Sequence, residues 1–282
     1  MPGWRPSCDL SALSARAALY ETIRAFFRER GVLEVHTAVL GEHTVTDVHV
    51  ESMAVGGSGY LQTSPEYQMK RLLAAGAPSI YQLCPVFRAG EQGRLHNPEF
   101  TLLEWYRIGF DDQHLMAEVA ALLDRVLGPE EARQVTYTEL LGGDLSGTAD
   151  DLDLRFSDAC ARLRGRWFVT RFPADQAALA RLHEDDPSVA ARFELVVDGV
   201  ELANGYHELT DADEQRRRFA ADSEARRRLG RVEPTVDERF LAALAAGLPE
   251  CAGVALGVDR LLMAATGAAS LAEVMPFPWG NA

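Results

Sequence analysis

Two glutamates, Glu194 and Glu201, flank an Asp198-Gly199 dipeptide within ARFELVVDGVELAN. Asp-Gly is a strong signal for a two-residue hairpin turn. With that turn, Val197 pairs with Val200, Val196 with Glu201 and Leu195 with Leu202. Phe193, Leu195, Val197, Val200 and Leu202 then form one apolar face. Glu194 and Glu201 become diagonal neighbours on the other, roughly 7–8 Å apart or somewhat less between Cβ atoms. Two carboxylates that close can share a hard cation such as Mg²⁺, which prefers oxygen ligands. The competing reading is an ordinary solvated strand face.

A second chemical stretch is SIYQLCPVFRAGEQGRLHNPEFTLLEWYR. Alternation along its second strand sets Phe100, Leu102, Glu104 and Tyr106 on one face. A ring, an acid and a phenol in line suit the stacking of a base and the holding of an ammonium group. Arg88 closes the first strand, where its guanidinium fork can meet a phosphate or a carboxylate. The alternative is a half-buried strand, with Phe100 and Tyr106 in the core and Glu104 paired to an arginine. The third stretch, GVALGVDR at 253–260, places glycines before an Asp-Arg pair and the apolar run LLMAA. It fits backbone packed against a ligand at a helix start, or a structural turn.

The elements that must position these groups are legible in outline. Leu19, Ile23, Phe26 and Phe27 predict an amphipathic helix over 11–30, ended by Gly31 and followed by extended VLEVHTAVL. Ser64-Pro65-Glu66 starts a helix with Ser64 as N-cap, running to about Ala75. Strands are expected at 79–88 and 99–107, and a helix at 113–127 before Gly128-Pro129. WFVTRF reads as a strand and 174–184 as a helix; the hairpin covers 192–204, and helices cover 211–229 and 236–246. Residues 130–165 give no clear signal. Strands mixed with helices and few parallel βαβ signals indicate an α+β fold, an antiparallel sheet flanked by helices.

A chain of 282 residues with 47% hydrophobic content has ample material for a core, in one large domain or two small ones. No apolar run is long enough for a membrane span, and MPGWRPSCDL does not read as a signal peptide. Cys8, Cys84, Cys160 and Cys251 form no CxxC pair, which points to a reduced, cytoplasmic protein. The net charge of −14 argues against tRNA or DNA as a partner, because such surfaces carry a basic excess. The runs Arg216-Arg217-Arg218 and Arg226-Arg227-Arg228 lie among acids and read as a solvated helix face.

Taken together and in order, GVLEVHTAVL, FRAGEQGRLHNPEFTLLEWY and GVALGVDR resemble motifs 1, 2 and 3 of the class II aminoacyl-tRNA synthetases of the lysyl type. The resemblance runs from about residue 11 to 279 and includes the long strings HNPEFT and ELANGYHELTD. TSPEY-MKRLLAAG and CAGVALGVDR bring it closer to the branch that joins (R)-β-lysine to a lysine side chain of translation elongation factor P. It implies a short extension at 1–10, a catalytic domain at 11–282, no anticodon-reading barrel, and a homodimer built through motif 1. The alternatives are an enzyme that activates α-lysine for a carrier protein or tRNA, and a non-catalytic regulatory paralogue.

Residue by residue, the resemblance implies ATP and Mg²⁺ as cofactors. Arg88 would contact the α-phosphate and the substrate carboxylate, Arg260 the γ-phosphate, and Phe100 the adenine, with His96 and Asn97 in the loop over ATP. Glu194 and Glu201 would hold Mg²⁺. Ser64, Glu66, Glu104, Tyr106, Asn204, Tyr206, Glu208 and Ala255 would line the pocket for (R)-β-lysine or lysine. Strict alternation places Glu208 opposite to Glu201's face, so a bulge near Asn204-Gly205 is required. Three departures stand out. Ala38 replaces the usual proline of motif 1, and the region 130–170 is shorter than in relatives. Gly90 occupies the place of the motif 2 glutamate that holds adenine, leaving Glu91 to substitute. Lysyl enzymes tend to have glycine at the place of Ala255, so its methyl is the candidate selector between lysine isomers.

Overall fold

The computed structural model describes residues 4–282. Its helices are α1 (Leu10–Glu29), α2 (Glu66–Ala74), α3 (Asp112–Leu127), α4 (Tyr137–Leu140), α5 (Ala149–Cys160), α6 (Ala212–Arg228), α7 (Glu238–Gly247) and α8 (Val258–Thr266). The strands are β1 (Leu33–Glu34), β2 (Leu40–Gly41), β3 (Ala54–Val55), β4 (Gly59–Leu61), β5 (Ile80–Phe87), β6 (Glu99–Ile108), β7 (Arg133–Thr136), β8 (Arg166–Pro173), β9 (Val189–Val197), β10 (Val200–His207) and β11 (Cys251–Gly257). Two compact units emerge. The first comprises the chain up to Trp105, Thr210–Pro249 and Gly257–Ala282; the second comprises Tyr106–Leu209 and Glu250–Leu256.

In the first unit, Asp9 caps α1 by accepting the Ala12 N–H, and Leu19, Ile23, Phe26 and Phe27 form its buried face. Phe27 stacks on Tyr81 of β5 with ring centroids 4.4 Å apart. The strand order is β1-β5-β6, with β1 parallel to β5, and β2-β4-β3 form a small antiparallel sheet. In α2 the cap position falls on Pro65 rather than Ser64, yet the Ser64 hydroxyl still accepts the Glu66 N–H at 3.0 Å. Helix α6 is solvated as expected at Arg216, Arg217, Arg227 and Arg228, each paired with a glutamate. Arg226 departs from that reading. It is 3% exposed, donates to the Asp47 carbonyl at 2.7 Å and forks onto both Glu51 oxygens at 3.1 Å.

Asp222 of α6 accepts from the Thr46 hydroxyl at 2.9 Å, and burial pushes its carboxyl up to about 6. An unfolded aspartate ionises near 3.9. As pH rises from about 4 to 6 the unfolded chain therefore loses this proton first, and stability falls across that window. Asp222→Asn keeps an acceptor for Thr46 and removes the ionisation. It is expected to stabilise by about 1–2 kcal/mol at pH 7.5, a few degrees in Tm, with little change near pH 3.5. Urea unfolding at the two pH values checks this; equal shifts at both would refute it.

In the second unit the order is β11-β10-β9-β8-β7, antiparallel except for the parallel β7–β8 edge pair. The stretch 130–165, without a clear signal in the sequence, forms β7, α4 and α5, with capping boxes Thr136–Glu139 and Thr148–Asp151. The helix expected near 174–184 is not formed: Ala174–Gln176 make a single 3₁₀ turn, and Ala178 has φ 48°. Beyond it, sheet partners claim the backbone, Arg181 N–H donating to His207 O and His183 N–H to Val189 O, both at 2.9 Å. Long-range pairing overrides the helix preference of an alanine-rich segment.

The hairpin forms with Val200 opposite Val197 and Glu201 opposite Val196. A bulge at Leu202 then sets Ala203, not Leu202, opposite Leu195. The required bulge thus lies earlier than Asn204-Gly205. Gly205 serves a different need, since a Cβ there would stand 2.3 Å from Phe193 Cζ. Among the described residues no helix is long and apolar enough to cross a membrane. All four cysteines are free and buried.

Candidate active site

The first unit gathers the residues expected to handle ATP. Arg88 follows β5, its Nε donating to Thr63 O at 3.3 Å and its guanidinium lying 5.1 Å from the Phe100 ring centroid. Gly90 adopts φ +79°, and the turn it allows leaves Glu91 Oε1 3.8 Å from Arg88 Nη1. Arg260, in the first turn of α8, donates to Leu95 O at 3.2 Å and lies 3.0 Å from His96 Nε2. Asp259 fixes that turn. It is 2% exposed and accepts from Arg16 at 2.5 Å and from the Thr101 N–H at 2.6 Å. Asn97 is drawn into the scaffold instead, its amide donating to Glu99 O and accepting the Trp279 N–H at 2.8 Å.

Ser64 joins two of the expected pocket acids. Its hydroxyl donates to Glu104 Oε2 at 2.7 Å while accepting from Glu66 N–H. Glu104 is 2% exposed; burial and this carboxylate push the neighbouring Cys84 thiol up to about 12. The Glu66 carboxylate, one turn before Lys70, pairs with its ammonium at 2.6 Å.

The second unit carries the rest on one sheet face. Pairing sets Asn204 opposite Glu194, Tyr206 opposite Arg192, Ala255 opposite Asn204 and Gly253 opposite Tyr206. Since opposed residues point the same way, Arg192, Glu194, Glu201, Asn204, Tyr206, Gly253 and Ala255 share that face. Gly253 leaves room for two further residues: a Cβ there would stand 2.3 Å from Tyr106 Cε1 and 2.4 Å from Glu208 Oε1. Glu208 itself is fully buried, and its N–H donates to Cys251 O at 3.0 Å.

Glu194 is buried, and this burial, together with the charge of Glu201, pushes its carboxyl up despite the Arg192 guanidinium at 2.5 Å. Burial and the same two carboxylates push the Cys160 thiol of α5 up to about 12. Among the described residues no group of three or more His, Cys, Asp or Glu is arranged to hold a metal. The pair does have a third oxygen beside it, because Asn204 Oδ1 is buried without a hydrogen-bond partner. Two carboxylates and an amide oxygen are hard donors that fit Mg²⁺, which ordinarily keeps waters and phosphate oxygens as its remaining ligands.

Arg192, Lys70 and Asp259 were not among the site residues expected from the sequence. Arg192 lies two residues before Glu194, and Lys70 four after Glu66 on a helix, so period-2 and i,i+4 spacing pointed to both. Nothing local distinguished Asp259 from any acid beside an arginine.

A family model described as tRNA synthetases class II (D, K and N) matches residues 7–281. An Elongation factor P--(R)-beta-lysine ligase of Vibrio cholerae serotype O1 is 45% identical, the match covering 99% of this chain and 98% of that one. Proteins of the same name from Salmonella gallinarum and Edwardsiella ictaluri are each 45% identical, covering 97% and 98% of this chain.

Proposed function

The chain belongs to the class II tRNA synthetases of the D, K and N group, and from that membership we propose that it activates (R)-β-lysine with ATP and transfers the acyl group to a lysine side chain of translation elongation factor P. The observation that carries the amino-acid side is the fully buried carboxylate of Glu208 in the second unit, whose Oε1, like the Tyr106 ring, lies where a Cβ at Gly253 would stand. Buried cations need partners, and a diamino acid brings two ammonium groups.

In this reading Arg88 and Arg260 bind the phosphates, and Phe100 stacks on adenine, with Glu91 in place of the glutamate missing at Gly90. His96 orients Arg260. The family resemblance assigns Tyr106, Ser64, Tyr206, Asn204 and Glu66 to the amino-acid pocket, and Glu66 is paired with Lys70. The substrate carboxylate attacks the α-phosphorus in line and pyrophosphate leaves. Fixed guanidinium groups stabilise the charge that builds on the phosphates. Glu194 and Glu201 would hold Mg²⁺, which when bound would supply further positive charge to the phosphates. The acceptor's neutral ε-amine then attacks the acyl carbonyl and AMP departs. Positioning contributes up to about 7–11 kcal/mol, and no covalent enzyme intermediate is needed.

The test is pyrophosphate exchange by the pure protein with ATP, Mg²⁺ and each lysine isomer, followed by mass spectrometry of elongation factor P. One added lysyl mass is expected, with negligible charging of tRNA, given a net charge of −14. Exchange with no isomer would end the ligase reading; efficient tRNA charging would favour the α-lysine alternative. Exposed Leu10, Leu33 and Leu40 around motif 1 support a homodimer, which light scattering of the same sample reads.

Ala255→Gly is expected to shift preference toward α-lysine. The isomers carry identical charges, so the carboxylates discriminate weakly and wall shape must do the rest. Ala255 projects from the same face as Asn204 and Gly253. One methyl at such a wall is worth about 1–3 kcal/mol, so the ratio of kcat/KM values should move about 10-fold or more. An unchanged ratio with activity retained removes Ala255 from the pocket.

A further inference from the structure

An acyl adenylate is intercepted by any neutral amine that reaches it. The amine nitrogen attacks the carbonyl carbon, the amide forms, AMP leaves with the bonding pair, and the surplus proton passes to solvent. An enzyme that makes such a reagent exposes its own surface to it first. Of the 28 lysine and arginine residues in this chain, one, Lys70, is a lysine. It is 1% exposed, with Nζ 2.6 Å from Glu66 Oε1 and 5.9 Å from the Phe240 ring centroid.

We propose that the side chains of this protein are insulated against acylation by its own adenylate: its one ε-amine is closed inside the first unit, and its solvent-facing arginines supply positive charge without a nucleophile. The proposal rests on the ligase reading. A guanidinium stays protonated at any physiological pH. An exposed lysine, by contrast, is neutral in roughly one molecule in a few thousand at pH 7, and each would be tethered to the source of the reagent. The arginines still do the electrostatic work of an acidic surface, as Arg216 on Glu238 and Arg227 on Glu233 show at 2.7 Å each. Lys70 fails as an acceptor on two counts. An ammonium ion-paired with a carboxylate has no lone pair to attack with, and at 1% exposure the side chain is shielded from solvent.

Two experiments decide it. In the first, the native protein is treated with the N-hydroxysuccinimide ester of acetate, which acylates accessible amines without any help from the enzyme, and peptides are mapped. Acetyl is expected on the chain's α-amine and none on Lys70 until the protein is unfolded. Acetylation of native Lys70 at the rate of a lysine in a free peptide would overturn the proposal. In the second, wild type, Arg94→Lys and Arg228→Lys are incubated with ATP, Mg²⁺ and (R)-β-lysine without acceptor protein, and exchange is read in the same tube. Both arginines face solvent. Each new lysine should gain lysyl mass at least about tenfold above the background at wild-type Lys70, given the neutral fraction of an exposed amine. No label on either would overturn insulation by composition. Absent exchange with every isomer would instead refute the ligase reading, and the first experiment decides the closure of Lys70 by itself.

Discussion

Glu201→Gln is expected to lower (R)-β-lysine-dependent pyrophosphate exchange at least about 100-fold while leaving the unfolding midpoint unchanged. The change is nearly isosteric and removes one negative charge. Glu201 is exposed near the hairpin turn, so the fold does not depend on it. Its carboxylate nevertheless acts on the buried Glu194, whose carboxyl it helps to push up, and on the Cys160 thiol. A cation held by the two carboxylates would offset that repulsion. An amide oxygen is a weaker ligand than a carboxylate, and losing about 3 kcal/mol of charge stabilisation corresponds to about 100-fold in rate. The Mg²⁺ concentration for half-maximal exchange should rise as well. Activity within a few-fold of wild type, at an unchanged Mg²⁺ requirement, would show that Glu201 is not a metal ligand.

The hairpin that carries this pair was legible because two independent signals agree: an Asp-Gly turn, and an apolar face with period 2. Its bulge was not. Leu202 is buried in the observed register, and the unbulged register would bury it as well, so the sequence leaves the choice to packing. Gly205 drew attention as a flexible residue, but its reason is the Phe193 ring pressed against it. Arg226 was hidden for a similar reason. In a run of three arginines nothing local says which one turns inward, and only the carbonyls of the 47–51 segment and Val232 decide it. The segment 174–184 misled in the opposite direction, because composition favours a helix there and the strand partners are distant in sequence. Chemistry and period coincide at Arg88, Phe100 and Glu104; Arg88 lies over the Phe100 ring, and Glu104 is buried and accepts the Ser64 hydroxyl. Asn97, expected in the loop over ATP, brackets the chain by accepting the Trp279 N–H.

Gly253→Ala is expected to cost both stability and activity. Gly253 does not have a positive φ, so its backbone conformation is open to alanine and only space is at issue. The added Cβ would stand 2.3 Å from Tyr106 Cε1 and 2.4 Å from both Tyr106 Cδ1 and Glu208 Oε1. Ordinary contact begins near 3.4 Å, so these groups must retreat by about 1 Å, and a misplacement of that size costs roughly 100-fold in rate. Neither group is a loose end that can swing away, since Tyr106 is 2% exposed and Glu208 0%. Overpacking alone should also destabilise by about 1–3 kcal/mol, which makes a control necessary. Gly205→Ala supplies it. That Cβ would collide with the Phe193 ring at 2.3 Å, an equally severe clash on the face opposite to Glu194 and Asn204. Both variants should lose stability. Assayed well below their unfolding midpoints, Gly205→Ala should retain most of its exchange activity, while Gly253→Ala falls about 100-fold with a raised KM for (R)-β-lysine. Equal losses in the two variants would mean that the glycine serves only packing and that Tyr106 and Glu208 do not hold the substrate.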